Sequence, residues 1–156
     1  LSSSSAASDV YKRQDEKQFK IEVVIGPGVK KTNKIHRINS LRVKKSIGLN
    51  NLSKSIIASD ICICTGGTTM FEVIASGKVP IVIENYDHQK YAIEYFNKKK
   101  AIIYGGKSTY LNKKNLFDLL DKQIYFNTKK CFYNNTNLVD GKGFERVNSI
   151  ISNYIK

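Results

Sequence analysis

The 156-residue chain has little cysteine, little acid relative to base, and no long apolar run. Three cysteines (Cys62, Cys64 and Cys131), an odd number without metal-ligand spacing, argue against a disulfide framework and a zinc site, and for reduced, structural thiols in a cytoplasmic protein. No apolar stretch approaches the roughly 20 residues needed to span a bilayer, and no signal peptide is visible. Thirteen acidic residues against 26 basic ones leave a net charge of +13, which attracts polyanions. The lysines are scattered among Asn and Ile, however, and the densest runs, Lys30-Lys31 and Lys98-Lys99-Lys100, are short. No aromatic motif at set spacing accompanies them, so specific nucleic-acid binding is not expected. Only two histidines occur. His36 reads as a surface residue and His88 as a solvated first-turn residue, so neither is assigned a catalytic role, and no cofactor or metal is expected.

What is present is one dense motif. Ile61-Cys62-Ile63-Cys64 is an apolar strand, Thr65-Gly66-Gly67 a turn, and Thr68-Thr69-Met70-Phe71-Glu72 the start of a helix. This arrangement points bare N–H groups and the positive end of a helix dipole at one place, which suits an anion. Gly66 and Gly67 carry no Cβ, so a diphosphate can approach their backbone. Glu72, one turn on, is in reach of a sugar attached to that diphosphate. The same residues also fit a capping box, in which Glu72 bonds back to the Thr69 backbone.

The rest of the chain alternates. Strands are predicted at Phe19–Ile25, Leu41–Ile47, Ile61–Cys64, Val79–Ile83 and Ala101–Tyr104, the last closed by Gly105-Gly106. Helices are predicted at Val29–Ile38, from Asn50 or Asn51 to Ala58, at Met70–Ser76 with Gly77 as its C′ residue, and from an Asp87 cap to Lys98. Leu111–Leu120 and Phe144–Ile155 also read as helices, with Tyr125–Leu138 ambiguous and Val139-Asp140-Gly141-Lys142-Gly143 a turn. The fold class is therefore α/β: a Rossmann-like parallel sheet with helices on both faces. Ligands of such sheets bind beyond the carboxyl ends of the strands. Gly26-Pro27-Gly28, Thr65 to Thr69, Glu84 to Gln89 and Gly105-Gly106 are expected to line that edge. Residues 1–14 resemble a translated sequencing adapter, the alternative being a natural disordered Ser/Ala tail, and are set aside from the fold. Residues 15–156 are taken as the domain.

Ala58-Ser59-Asp60, Gly66-Gly67-Thr68-Thr69-Met70-Phe71-Glu72, Ala75-Ser76-Gly77-Lys78-Val79-Pro80 and Asp87-His88-Gln89, in that order, resemble the C-terminal half of a GT-B glycosyltransferase-type protein. Val23-Val24-Ile25-Gly26-Pro27 and Asp140-Gly141-Lys142-Gly143-Phe144-Glu145-Arg146-Val147 are closer to the UDP-sugar hydrolases of pseudaminic acid biosynthesis and their spore-coat polysaccharide relatives. The resemblance implies that Gly66, Gly67, Thr68 and Thr69 contact the diphosphate of a UDP-sugar and that Glu72 accepts from ribose hydroxyls. Asp87, His88 and Gln89 would border the sugar or phosphate, and Gly26 and Pro27 the uracil. His88, Met70 and Phe71 depart from the hydrolase pattern, which leaves the sugar open. The family takes its catalytic histidine from an N-terminal domain, so the chain reads as a fragment without that partner domain and no catalytic residue is carried over. Hydrolysis of a UDP-linked amino-deoxysugar, glycosyl transfer to an acceptor, and non-catalytic binding of a UDP-sugar are the three functions the resemblance allows.

Overall fold

The computed structural model describes residues 20–26, 43–48, 51–128 and 138–155. The helix expected at Val29–Ile38, Pro27, Cys131 and the 1–14 tail lie outside these residues. The chain divides into two compact units, one ending at Leu52 and the other beginning at Ser53.

In the first unit, β1 (Ile21–Ile25) runs parallel to β2 (Val43–Ile47), with Ile21 opposite Val43 and Ile25 opposite Ile47. Beyond the ladder, Ser46 donates to Glu22 at 2.6 Å and Lys44 pairs with the same carboxylate at 3.0 Å. Gly26 follows β1, as its turn role predicts.

The second unit opens with α1 (Ser53–Ala58), which buries Ile56. Three parallel strands follow, β3 (Ile63–Thr65), β4 (Ile81–Glu84) and β5 (Ile103–Lys107), with β4 in the middle. Among the described residues the five strands thus form two hydrogen-bonded sheets, not the single ladder that the alternation suggests. All four residues of β4 are buried, as expected of a strand covered on both faces. On one face, Met70 and Ile74 of α2 (Thr68–Ala75) and Ile93 and Phe96 of α3 (Lys90–Lys98) pack with Val82, Ala101 and Ile102. On the other, Leu119 of α4 (Lys113–Thr128) packs with Ile81, Ile83 and Ile103. Helices therefore cover both faces, as the sequence predicts. β3 is less buried than its apolar run Ile61-Cys62-Ile63-Cys64 suggests. It pairs with β4 alone among the described residues, and Ile63 and Thr65 are exposed.

Two helix ends have the same closure. Gly77, with φ +79°, donates to Ile74 O at 2.9 Å while Lys78 N donates to Val73 O at 3.2 Å, the paired bonds of a Schellman motif. At the end of α3 the equivalent bonds run from Lys100 to Asn97 O and from Ala101 to Phe96 O, both 2.9 Å, with a lysine at φ +56° in the glycine position.

Gly105 and Gly106 do not close the fifth predicted strand of this alternation; they lie inside β5. The strand continues because its ladder with β4 shifts register between Val82 and Glu84, and Gly106 takes φ +88° at the irregularity. The helix predicted at Leu111–Leu120 runs on to Thr128, and the C-terminal helix α5 spans Gly143–Tyr154. Its apolar residues Val147, Ile150, Ile151 and Tyr154 keep the predicted helical spacing but are all exposed. The Val139–Gly143 turn is held by Asp140, which accepts from Lys142 N at 3.0 Å and takes both guanidinium nitrogens of Arg146, at 2.7 and 3.1 Å.

Candidate functional site

The glycine turn links β3 to α2 at the carboxyl end of the sheet. α2 begins at Thr68 with Gly67 as its N-cap, and no side chain caps it. The capping box suggested by Thr69 and Glu72 is therefore absent: the helix starts one residue before Thr69, which places Thr69 within the first turn. Met70 N reaches Gly67 O at 3.1 Å. The N–H groups of Thr68 and Thr69 precede the first bond of the helix and remain available to a ligand. The Thr68 and Thr69 hydroxyls and the Glu72 carboxylate make no hydrogen bond or ion pair among the described residues. Thr68 and Glu72 are four apart and share a helix face, and both are exposed.

The two glycines do different work. A Cβ on Gly66 would stand 2.6 Å from Ile93 Cδ1 and 3.1 Å from Gln89 Cβ. Gly66 is bare because α3 packs onto it. A Cβ on Gly67 would meet nothing closer than Thr65 Oγ1 at 3.9 Å, so this is the side left open to a ligand.

The contact with Gln89 joins the glycine turn to the loop after β4. Gln89 is buried, and its Oε1 accepts from Asn85 N at 3.0 Å and Tyr86 N at 3.3 Å and ties the loop to itself. Asp87 is not a helix cap. It opens a 3₁₀ turn, Asp87–Gln89, whose N-cap is Tyr86, and its exposed carboxylate accepts from Lys107 Nζ at 3.2 Å. His88 is exposed, as expected of a solvated residue, and its ring stacks on Tyr86 at 5.6 Å between centroids. The structure thus brings Gly66, Gly67, Thr68, Thr69, Glu72, Asp87, His88 and Gln89 onto the glycine turn, the start of α2 and the linked loop after β4, all in one unit. Gly26 belongs to the other unit.

Sequence reasoning missed the polar residues that hold the second loop. Glu84 ends β4 and is only 5% exposed. Its Oε2 accepts from the Tyr104 hydroxyl at 2.6 Å, and its Oε1 lies 3.5 Å from Lys107 Nζ. The hydrogen bond to Glu84, reinforced by burial, raises the Tyr104 pKa. The hydrogen bond to Asp87, with the charges of Asp87 and Glu84, raises that of Lys107. Ser108 Oγ donates to Asn85 Oδ1 at 3.0 Å. The available signal was an acid closing the otherwise apolar run Ile81-Val82-Ile83. Lys78 was quoted only as part of a motif. It proves to donate to Ile56 O at 2.7 Å, to Ile57 O at 2.8 Å and to Ser59 O, capping the end of α1.

Among the described residues there is no group of three or more His, Cys, Asp or Glu side chains able to hold a metal ion, and no helix long and apolar enough to cross a membrane. Cys62 lies 3.0 Å from Ser59 Oγ, and Cys64 packs against the α2–α3 core, where burial and then the neighbouring Cys62 push its thiol up to about 12. Neither strand cysteine is placed as a nucleophile.

No curated protein and no solved structure matches the chain. The sequence model described as the glycosyltransferase family 28 C-terminal domain matches residues 3–147. With parallel strands, helices on both faces and a glycine turn at the carboxyl edge, the chain belongs to the glycosyltransferase family 28 C-terminal domain family.

Proposed function

We propose that this chain binds a UDP-linked sugar, with the diphosphate on the first turn of α2. The observation that carries this reading is the uncapped helix start beside the open face of Gly67, with the Glu72 carboxylate unengaged one turn away. Backbone N–H groups of Thr68 and Thr69 would donate to the diphosphate, the two threonine hydroxyls would add donors, and Glu72 would accept from the ribose hydroxyls. The fixed N–H dipoles would also stabilise charge that develops on the diphosphate as the sugar–oxygen bond breaks. Asp87, His88 and Gln89 form the neighbouring wall on the sugar side, with Gln89 acting through the loop it braces.

The parent reaction in this reading is hydrolysis of a UDP-linked amino-deoxysugar in surface-polysaccharide or nonulosonic acid synthesis, in the cytoplasm. Water attacks the anomeric carbon, UDP leaves, and a preceding domain supplies the general base. Glycosyl transfer to an acceptor is the second reading, favoured by the description of the matched family. An acceptor-dependent product from the complete protein would select it.

Calorimetric titration of UDP into the wild-type chain and the Glu72→Ala variant tests the site. Binding about tenfold or more weaker in the variant is expected from loss of a charge-assisted hydrogen bond. Equal binding by both, with the fold intact by circular dichroism, would remove Glu72 from the site.

A further inference from the structure

The cluster at the carboxyl ends of β4 and β5 has one feature that the loop-bracing role does not use. Glu84 is buried, and while its Oε2 is engaged by Tyr104, its Oε1 is fully covered and accepts no hydrogen bond among the described residues. Lys107 Nζ, 3.5 Å away, balances its charge from a distance well above the ordinary length of about 2.7–2.9 Å of a charge-assisted hydrogen bond. A buried carboxylate oxygen with unused lone pairs is unfavourable. An ammonium has three donors, and among the described residues that of Lys107 reaches Asp87 at 3.2 Å and, more weakly, Glu84 at 3.5 Å. An unused acceptor and a donor with spare capacity therefore stand side by side, and Lys107 is half exposed.

That pairing selects a ligand chemistry. A hydroxyl both donates and accepts, so one oxygen can donate to Glu84 Oε1 and accept from Lys107 Nζ at ordinary hydrogen-bond lengths of about 2.7–2.9 Å. A phosphate cannot donate to Glu84 and is repelled by Glu84 and Asp87. An amide N–H can donate to Glu84 but leaves Lys107 unanswered at that position. The cluster lies on the same edge of the sheet as the glycine turn, one strand beyond the loop that Gly66 touches through Gln89.

We propose that Glu84 and Lys107 form a subsite that reads a hydroxyl on the sugar half of the ligand, admitted by displacement of the half-exposed Lys107 side chain. This rests on the nucleotide-sugar reading above and adds a sugar-specific contact to it. UDP alone does not reach the subsite; a UDP-sugar does.

The test is calorimetric titration of UDP and of UDP-N-acetylglucosamine into the 156-residue chain as wild type, Glu84→Gln and Lys107→Met, with circular dichroism as the fold control. Glu84→Gln keeps an acceptor for Tyr104, and Lys107→Met keeps the stem, so each variant checks the other. UDP affinity is expected to stay within about twofold in both variants, while UDP-N-acetylglucosamine affinity falls about tenfold. Loss of both ligands in parallel would overturn the subsite by showing that the cluster only shapes the loop. Unchanged UDP-N-acetylglucosamine affinity in both variants would overturn it as well. Failure of the wild type to bind UDP would overturn the nucleotide reading and the subsite with it.

Discussion

Gly66 and Ile93 are in direct apposition: a Cβ at residue 66 would lie 2.6 Å from Ile93 Cδ1 and 2.7 Å from Cγ1. Ile93 is itself 2% exposed, so it has little room to give. Gly66→Ala is expected to destabilise the fold by about 1–3 kcal/mol through overpacking. Urea unfolding of Gly66→Ala, Ile93→Ala and the double variant checks this. The double variant should be more stable than the sum of the two single losses predicts, because the shortened residue 93 leaves space for the new methyl.

Ile93 also marks how far the sequence could be read. The run Val79-Pro80-Ile81-Val82-Ile83 declares a buried strand, and Gly77 declares a helix end, because both are local signals with one physical meaning. The parallel α/β class follows from their alternation. The candidate site was legible as a position in the chain, the glycine turn and the Asp87-His88-Gln89 loop, because turns at strand ends collect on one edge. The reason for Gly66 was not legible, since it depends on a side chain 27 residues further on. Glu84 was missed for the same reason: its partners Tyr104 and Lys107 stand on the next strand. The paired bonds that close α3 on Lys100 carry no sequence signal either, because a lysine occupies the place where glycine is usual.

Lys78 braces the end of α1 from 19 to 22 residues further along the chain. Its ammonium donates to three carbonyls at and just beyond the end of α1, where the helix dipole also favours a cation. Lys78→Met keeps the stem and removes all three donors. A loss of about 2 kcal/mol is expected in chemical denaturation. Hydrogen exchange should quicken at Ser59 N, which donates to Ser55 O and Ile56 O within the same turn.

Lys100 sits at φ +56°, where a Cβ is unfavourable, and completes a hydrogen-bonded helix end that glycine would complete without strain. Lys100→Gly is expected to stabilise the chain by about 0.5–1 kcal/mol, net of the greater freedom of glycine when unfolded. A further interaction of Lys100 offsets part of this gain. A rise in the thermal midpoint, with an unchanged circular dichroism spectrum, checks the prediction; a fall would mean that what the lysine contributes outweighs the backbone strain.

Cys64 is held protonated by burial, with its thiol pushed up to about 12. The thiolate is the reactive form. Iodoacetamide at pH 8 should therefore leave Cys64 unmodified in the native chain and alkylate it after denaturation. Peptide mass mapping reads the difference. Native-state modification of Cys64 would show that β3 opens on the time scale of the reaction.

The Asp140–Arg146 pair governs the start of α5. The Arg146 guanidinium, aided by Lys142 N, lowers the Asp140 carboxyl from 3.8 to about 2. A carboxyl whose folded pKa lies below its unfolded one favours the folded state above the unfolded value, and that contribution is lost as pH falls through the folded one. The window is therefore about pH 4 down to about pH 2. Both side chains are largely exposed, so salt should weaken the effect. Followed by NMR, Asp140 should titrate near 2 in the wild type and return toward 3.8 in Arg146→Gln. Because Arg146 lies within the first turns of α5 and holds the Asp140 turn that precedes it, the variant should also lose order at residues 143–146 at neutral pH, as the wild type does on acidification through that window. An Asp140 midpoint near 3.8 in both proteins would show that the pair is not formed in solution.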